Sequence, residues 1–431
     1  MHIGRLVLSL ATALLMGFWA AAATSPAPTF GAPPPGRIRS GEVLVLTRPG
    51  AEARSVARRA GASLVGTPAS RTHRLRVQPG REAAAAALLQ RDPDVLAAAP
   101  SYVRSVQEVT PNDPMYPQQW WLPKIDAPAA WSTTTGSPSV KVAVLDSGVE
   151  LTHPDLSPNI ADGTNTLGED PQQVAEDGCA NTTTVQDDFG HGTHVSGIVA
   201  AVGNNAVGVA GVAWNVRILP VKVLDCTGNG SDAQIIAGID WAIANGAQVI
   251  NMSLGGPGDS PVLDAAVQRA WNAGLVVVAA AGNGATNVPY YPAASPGAIA
   301  VSATDPNDQL APFSNYGSDV ALSAPGTSVL STWTESSYRF ESGTSMASPM
   351  VAGSAALLLS AHPEYDNGRV LGVLFASASK PTICPGATSC AYDATGRNDY
   401  FGHGRVDLAR ALRFTNASYL PRTPLDSAGG F

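Results

Sequence analysis

Short apolar runs alternate with helical segments along most of the chain after residue 140. Five runs rich in Val, Ile, Leu and Ala have the length and composition of buried strands: 140–146, 216–224, 248–254, 275–282 and 298–304. Four segments predict helices, namely the residues after His191, 233–245, 261–273 and 345–361. This alternation predicts a mostly parallel sheet with helices on both faces, a doubly wound α/β fold. Functional groups in such sheets gather at the carboxyl ends of the strands.

Residues 41–108 follow a different, shorter pattern. Three strand-like runs and two helical segments succeed one another in this part: strands at 41–47, 73–77 and 94–103, and helices at 52–59 and 82–90. The pattern predicts a small two-layer α+β unit of about 65 residues, which is barely large enough to fold alone.

The first 23 residues have the features of a secretory signal peptide. Arg5 gives a positive start, an apolar run follows from Leu6 to Ala20, and three alanines provide a cleavage site. The alternative is an uncleaved membrane anchor, which the short run and its Ala-rich end disfavour. We therefore expect a secreted, extracellular protein without a stable membrane anchor. Residues 24–40 form a Pro-rich linker, and residues 413–431 a short polar tail.

Composition narrows the class of protein. Hydrophobic residues make up 45% of the chain and charged residues 14%, which is enough apolar material for a sizeable core. The net charge of −8 argues against a general nucleic-acid binder, so no nucleic-acid partner is expected. The charge is uneven, because residues 1–105 hold 13 Lys/Arg and 5 Asp/Glu, whereas the remainder holds 13 and 29. Either this is compositional drift, or two folded units carry complementary charges and can associate.

Four cysteines are present: Cys179, Cys226, Cys384 and Cys390. An even number in an exported chain favours disulfides over free thiols, and three pairings are possible. Proximity in the sequence favours the pairs 179–226 and 384–390. No CxxC pair or His/Cys cluster predicts a zinc site.

Four polar residues stand at the ends of predicted elements. Asp146 ends the first strand of the main body, His191 and Ser345 begin helices, and Asn283 follows an apolar strand. Each alone has an ordinary interpretation as a cap, a turn residue or a structural His. Together they contain the groups needed for acyl transfer: a nucleophile, a base, a carboxylate that orients the base, and an amide that can hold an oxyanion. The order Asp, His, Ser is one of the known convergent orders.

The sequence resembles the subtilisin-like serine proteases, the subtilases. Five motifs carry the resemblance: VAVLDSGVELTHPDL around Asp146, GHGTHVSGIVAA around His191, GTSMASPMVAG around Ser345, NMSLGG at 251–256 and VVVAAAGN at 276–283. It implies that residues 112–412 form an endopeptidase domain acting on polypeptides, expected as a monomer. By the same resemblance, Asp146, His191 and Ser345 form the catalytic triad. Asn283 and the backbone N–H of Ser345 form the oxyanion hole.

The resemblance also assigns the substrate-binding residues. Extended substrate would pair with the segment at 253–255. The pocket for the residue before the scissile bond would have its walls at 253–256 and 280–282 and its floor near 290–293. The assigned residues are Ser253, Leu254, Gly255, Gly256, Ala280, Gly282 and Tyr290. An inward Tyr290 or Tyr291 would narrow this pocket. No Asp or Glu is expected to line it, so we expect an apolar or broad preference.

Two further features follow from the resemblance. Residues 41–108 would be an inhibitory propeptide, an intramolecular inhibitor removed by cleavage between Val103 and Asn112. The loop GNNAVGVAG at 203–211 resembles a structural calcium site, although an ordinary Gly/Asn loop is the alternative. Its expected oxygen ligands suit Ca²⁺, and they are Asp113, Asp155, Gly203, Asn205, Val207 and Val209.

Two other functions fit the sequence less well. An α/β-hydrolase esterase would need GxSxG and the order Ser, Asp, His, which this chain lacks. A catalytically silent binding protein on the same fold would normally have lost a triad member, and none is missing. Asp187 and Asp188 are expected to be solvated or to border the cleft.

Overall fold

The computed structural model describes residues 38–102, 108–169, 178–180, 183–386 and 389–414. The chain divides between residues 105 and 106 into two compact units. The predicted signal peptide, most of the linker and most of the predicted C-terminal tail lie outside the described residues.

The N-terminal unit is a four-stranded antiparallel sheet with two helices. Its strands are β1 (Ile38–Thr47), β2 (Ser63–Ala69), β3 (Thr72–Arg76) and β4 (Val95–Tyr102), and its helices are α1 (Ala53–Arg59) and α2 (Glu82–Leu89). The spatial order is β2-β3-β1-β4. This confirms the α+β class, but β1 begins inside the predicted linker, and the prediction omits β2. The sequence of β2, SLVGTPA, contains Gly and Pro and no buried side chain, as is typical of an edge strand.

The second unit contains eleven strands and eight helices within its described residues. The strands are β5 (Lys141–Asp146), β6 (Thr164–Asn165), β7 (Arg217–Lys222), β8 (Val249–Met252), β9 (Gly256–Pro257), β10 (Val276–Ala280), β11 (Tyr290–Tyr291), β12 (Ala298–Thr304), β13 (Val320–Pro325), β14 (Val329–Trp333) and β15 (Ser337–Glu341). The helices are α3 (Trp121–Lys124), α4 (Ala127–Ala130), α5 (His191–Ala200), α6 (Asp232–Ala244), α7 (Pro261–Asn272), α8 (Thr344–Ala361), α9 (Asn367–Ser377) and α10 (Leu408–Leu412).

Seven of these strands form one parallel sheet, in the order β13-β12-β10-β8-β5-β7-β6. Successive side chains of β5 enter different cores. Val142 and Val144 pack in a cluster with residues of α5 and α8, whereas Ala143 and Leu145 pack with residues of α6 and α7. The sheet is therefore covered on both faces, which confirms the predicted α/β fold.

The long helix α8 is apolar enough to resemble a membrane span, but 78% of it is buried within the fold. This burial identifies it as a core helix of the domain. Neither α9 nor the antiparallel hairpin β14–β15 is part of the sequence prediction. The outer strand of that hairpin, SYRFE, is mostly exposed, so it lacks the continuous apolar run that marks the central strands.

Both favoured disulfides are present, Cys179–Cys226 and Cys384–Cys390. The first closes a sequence separation of 47 residues and the second one of 6. Loop closure therefore makes the first bond the greater constraint on the unfolded chain.

Candidate active site

Asp146 and His191 are joined by a hydrogen bond at the carboxyl end of β5. Asp146 is the last residue of β5, and His191 is the first residue of α5. The distance between Asp146 Oδ1 and His191 Nδ1 is 2.8 Å, and the Asp146 side chain is fully buried. The helix can approach the strand so closely because residue 192 is glycine. A Cβ at Gly192 would lie 2.1 Å from the carbonyl oxygen of Gly148.

Opposed influences set the pKa of His191. Burial, the largest single influence, lowers it, but the charge and the hydrogen bond of Asp146 act in the other direction. The charges of Asp187 and Glu341 add to this effect, and the net result is a raised pKa. Because Nδ1 donates its hydrogen to Asp146, the neutral imidazole carries its lone pair on Nε2.

Asp187 is buried and organises the segment that precedes His191. Its Oδ1 accepts hydrogen bonds from Ser147 Oγ at 2.9 Å and from the backbone N–H of Gly190 at 2.8 Å. Its Oδ2 accepts one from Thr193 Oγ1 at 2.6 Å. The predicted solvated position is therefore wrong for Asp187, which instead caps the start of α5 and links it to the turn after Asp146.

Lys222 is a buried cation at the neighbouring strand end, opposite Asp146 in the β5–β7 register. Its Nζ donates hydrogen bonds to the carbonyls of Ser147 at 2.6 Å and Leu224 at 3.0 Å, and to Asp188 Oδ1 at 2.6 Å. It therefore ties together the segments that follow β5, follow β7 and precede His191. Lys222 is not among the residues predicted from the sequence, although a Lys within the apolar run VKVL is a signal for a buried cation.

We expect Lys222→Met to lower the free energy of unfolding by about 3 kcal/mol, because it leaves Asp188 and two carbonyls unpaired. The control is Lys141→Met, at the half-buried start of β5, where Nζ donates a hydrogen bond to the Asn245 carbonyl at 3.2 Å. It should change the free energy of unfolding by less than about 0.5 kcal/mol. Denaturant unfolding, followed by Trp fluorescence in a Ser345→Ala background, measures both. Equal losses for the two variants would contradict this role of Lys222.

Ser345 lies in the first turn of α8 and is bound to the segment that follows β8. Its Oγ donates a hydrogen bond to the Ser253 carbonyl at 3.1 Å, and Ser253 Oγ donates one to the Ser345 carbonyl at 2.8 Å. Buried Asn251 extends this contact, because it donates to Ser253 Oγ at 3.0 Å and accepts from Ser348 Oγ at 2.8 Å. The start of α8 is thus fixed relative to residue 253.

Asn283 and the backbone of Ser345 direct two N–H donors toward one space. Asn283 Oδ1 accepts hydrogen bonds from Thr344 N at 2.9 Å and from Thr344 Oγ1 at 3.0 Å, which leaves its Nδ2 on the other side. A Cβ built on Gly343 would lie 3.4 Å from Asn283 Nδ2 and 3.5 Å from Ser345 N. The backbone of Gly343 is extended, and both contacts are at ordinary van der Waals distance. The two donors therefore lie near one point beside Gly343.

All seven predicted substrate-binding residues border one cleft of about 590 Å³: Ser253, Leu254, Gly255, Gly256, Ala280, Gly282 and Tyr290. His191, Ser345 and Asn283 line the same cleft. The structure thus brings the predicted base, nucleophile and amide to one surface, and Asp146 is buried behind His191.

The ring of Tyr290 lies against Gly282. A Cβ on Gly282 would meet the ring at 2.6 Å, so this wall requires both the glycine and the inward Tyr. Residues 290–291 pair with 256–257 in a short antiparallel ladder. Tyr290 therefore borders the pocket on the side of β10.

The opposite side of the cleft was not predicted. It contains residues that follow β7 or precede α5: Phe189, Leu224, Gly228, Asn229, Gly230, Asp232 and Ile235. Asp232 is an acid on the cleft surface, which the sequence analysis did not anticipate. The Gly-Asn-Gly sequence between a strand and a helix was the available signal for a loop at this edge.

The predicted calcium region contains two buried carboxylates. Asp113 is 2% exposed and Asp155 is fully buried. Asn204 N donates to Asp113 at 2.7 Å, while Val209 N and Asn205 Nδ2 each donate to Asp155 at 2.8 Å. Burial raises the pKa of Asp155 to about 6, although these hydrogen bonds oppose the shift. No ion pair among the described residues includes either carboxylate, and the described residues contain no cluster of three or more His, Cys, Asp or Glu side chains suited to a metal.

Comparison with known proteins gives a consistent result. The model of the subtilase family matches residues 137–404. Thermitase of Thermoactinomyces vulgaris is 42% identical over 306 residues, which cover 71% of this chain and 100% of thermitase. Subtilisin NAT of Bacillus subtilis subsp. natto is 41% identical over 296 residues, 68% of this chain and 70% of that protein. A solved structure of proteases from Pseudoalteromonas arctica is 37% identical, with a TM-score of 0.63, and covers 71% of this chain and 99% of that one. The chain belongs to the subtilase family and is a serine endopeptidase.

Proposed function

We propose that this enzyme hydrolyses peptide bonds through Ser345, with His191 as general base and Asp146 as the group that orients His191. The observation that carries the proposal is the 2.8 Å bond between Asp146 and His191 beside a cleft lined by His191, Ser345 and Asn283. In the first step, Ser345 Oγ attacks the substrate carbonyl and its proton passes to His191 Nε2. The Oγ–C bond forms, and the carbonyl electrons move onto oxygen.

The oxyanion is held by Asn283 Nδ2 and Ser345 N. When the intermediate collapses, the proton on His191 passes to the leaving amine and the acyl-enzyme remains. Water then attacks the acyl carbon and passes a proton to His191 Nε2. The bond to Ser345 Oγ breaks, Oγ recovers the proton from His191, and the carboxylic acid leaves. In the free enzyme the hydroxyl of Ser345 donates to the Ser253 carbonyl. A substrate that pairs with residue 253 competes for that carbonyl, which favours transfer of the Ser345 proton to His191.

Labelling with a fluorophosphonate probe tests this function. The processed protein should incorporate the probe on the peptide that contains Ser345, because the probe needs an activated nucleophile. His191→Ala should lose the labelling, and Ser360→Ala, on the far end of α8, should keep it. If the processed protein is not labelled, a catalytically silent binding protein on this fold becomes the better interpretation.

We also propose that the enzyme is exported and made as a precursor. The signal-like residues 1–23 and two disulfides support export, since such bonds persist in oxidising compartments. The small α+β unit supports the assignment of residues 41–108 as an inhibitory propeptide, which the enzyme itself cleaves between Val103 and Asn112.

We further propose that a structural Ca²⁺ binds at the 203–211 loop. The fit rests on Asp113 and Asp155, two buried carboxylates with no described cationic partner. Asn205 and the carbonyls of the loop would supply neutral oxygens, which suits a hard cation. When bound, the ion would neutralise the two carboxylates and fix the loop.

Chelation should lower the melting temperature by about 5–10 °C. A ligand present at 100 times its Kd adds roughly 2.7 kcal/mol to the free energy of unfolding, and loss of that free energy corresponds to a shift of this size. Asp155→Asn should melt at a lower temperature and respond little to chelator. Asp162→Asn, which removes an exposed carboxylate, should respond like the unaltered protein. Differential scanning calorimetry of the inactive Ser345→Ala protein measures all three. An unchanged midpoint on chelation would refute the site.

A further inference from the structure

Asp232 is an acidic side chain on a cleft that is otherwise almost uncharged. Apart from the imidazole of His191, the other side chains that line this cleft are glycines, apolar residues, hydroxyls, amides and two tyrosines. Asp232 is exposed, and no hydrogen bond or ion pair to its carboxylate exists among the described residues. The cleft therefore presents one free negative charge to whatever it binds.

The surroundings of Asp232 are apolar and rigid. Asp232 is the first residue of α6, whose start is fixed by a reciprocal pair of hydrogen bonds between Ser231 and Gln234. Ile235, one turn further, also lines the cleft and belongs to the same core cluster as Leu224, and Leu254 packs against that cluster. An apolar surface with a carboxylate at its edge suits a long side chain that ends in a cation.

The strand order separates the two sides of the cleft. In the sheet, β8 lies between β10 and the pair β5–β7. The segment after β8 therefore runs between residues that follow β10, such as Gly282, and residues that follow β7, such as Leu224 and Asp232. In a substrate that pairs with that segment, successive side chains point alternately toward the side of Gly282 and toward the side of Asp232.

The contact between Ser345 and Ser253 sets the position of the substrate along this segment. Ser345 Oγ lies 3.1 Å from the Ser253 carbonyl, so the substrate residue under attack lies beside residue 253. Its side chain enters the pocket bordered by Tyr290. Successive side chains of an extended peptide alternate in direction and advance by about 3.3 Å. The second and fourth residues before the scissile bond therefore face the side of Asp232.

The fourth residue fits better than the second. Lys222 is opposite Asp146 in the β5–β7 register, and Leu224 lies two positions after Lys222. Leu224 is therefore beside the triad and suits the second substrate residue before the scissile bond. Leu224 N also donates a hydrogen bond to the Asp146 carbonyl at 3.1 Å, whereas Asp232 follows only after the 225–230 loop, at the start of α6. We propose that Asp232 selects Lys or Arg as the fourth substrate residue before the scissile bond. This inference rests on the proposed function.

Acetylated tetrapeptide p-nitroanilides X-Ala-Ala-Phe, with X as Lys, Leu or Glu, test the proposal on the processed enzyme. At low ionic strength kcat/KM for X = Lys should exceed that for X = Glu by about tenfold, since one charge is attracted and the other repelled. About 1 M NaCl should reduce the ratio, because it screens exposed charges. Asp232→Asn should bring the ratio close to one.

Asp240→Asn is the matched control, because it makes the same charge change on the same helix. Asp240 is paired with Arg269 at 2.8 Å and does not line the cleft, so the Lys/Glu ratio should stay at its original value. A ratio near one in the unaltered enzyme, or a ratio that survives Asp232→Asn, would overturn the proposal. An equal loss in Asp240→Asn would also overturn it, because the preference would then come from the general acidity of the domain. Failure to hydrolyse any of the three peptides, together with no probe labelling, would instead refute the proposed function.

Discussion

Ser345→Ala is expected to lower kcat by about 10⁶-fold, because removal of the nucleophile from a triad leaves only binding and the oxyanion donors. The change should not unfold the protein, since Ser345 contributes one side-chain hydrogen bond, to the Ser253 carbonyl. Hydrolysis of a peptide p-nitroanilide by the purified variant, with the melting temperature as a check on folding, measures both effects. A kcat within about tenfold of the unaltered enzyme would exclude Ser345 as nucleophile.

The same variant tests self-processing. Since we propose that the enzyme cleaves its own precursor between Val103 and Asn112, purified Ser345→Ala should stay at full precursor length. Ser360→Ala, whose Oγ donates to the Ala356 carbonyl in the same helix, should mature and act normally. If purified Ser345→Ala shortens without added protease, the enzyme is not responsible for the cleavage.

Asp146→Asn should lower kcat by about 10⁴-fold while the fold persists. The Asn side chain has nearly the same shape, but it can offer an N–H to His191 Nδ1 in place of an acceptor. The imidazole would then carry its proton on Nε2, where it cannot accept the proton of Ser345. Active-site-titrated kinetics, with Asp240→Asn as the control for loss of one exposed carboxylate, measures the change. A loss below about 100-fold would mean that Asp146 does not set the tautomer of His191.

The pH dependence of activity tests the contact between Asp146 and His191 independently. Asp146 acts against burial and raises the pKa of His191, and only the neutral imidazole accepts a proton. Activity of the unaltered enzyme should therefore fall on the acid side as His191 becomes protonated. In Asp146→Asn the attraction is gone, the pKa of His191 falls, and the acid limb of kcat/KM should move to lower pH. A shift to higher pH would contradict this explanation.

The features predicted well from sequence are those with strong local signals. β5 and β10 contain continuous apolar runs, so the sequence predicted both as buried strands. The triad residues lie in glycine-rich or small-residue motifs, because α5 and α8 must start close to the sheet. The pairing of the cysteines was also predicted correctly, since each partner was the nearest in the chain.

The features that were missed depend on register between distant segments. Lys222 stabilises the site only because β7 lies beside β5, and a strand sequence does not state its neighbour. Asp187 looks like a loop acid until Ser147, Gly190 and Thr193 surround it. Asp232 likewise reads as a helix-capping acid, and only the order of β8, β5 and β7 places it on the cleft.

The bond between Cys179 and Cys226 lies close to the cleft edge. Cys226 is two residues from Leu224 and two from Gly228, both of which line the cleft. A chain held in a reducing compartment would lack this covalent tether, and residues 224–230 would depend on non-covalent contacts such as the hydrogen bonds from Lys222 Nζ to the Leu224 carbonyl and from Leu224 N to the Asp146 carbonyl. If the enzyme is exported as we propose, the cleft edge gains its covalent tether only in the oxidising compartment, and a reduced chain would hold this part of the recognition surface less firmly.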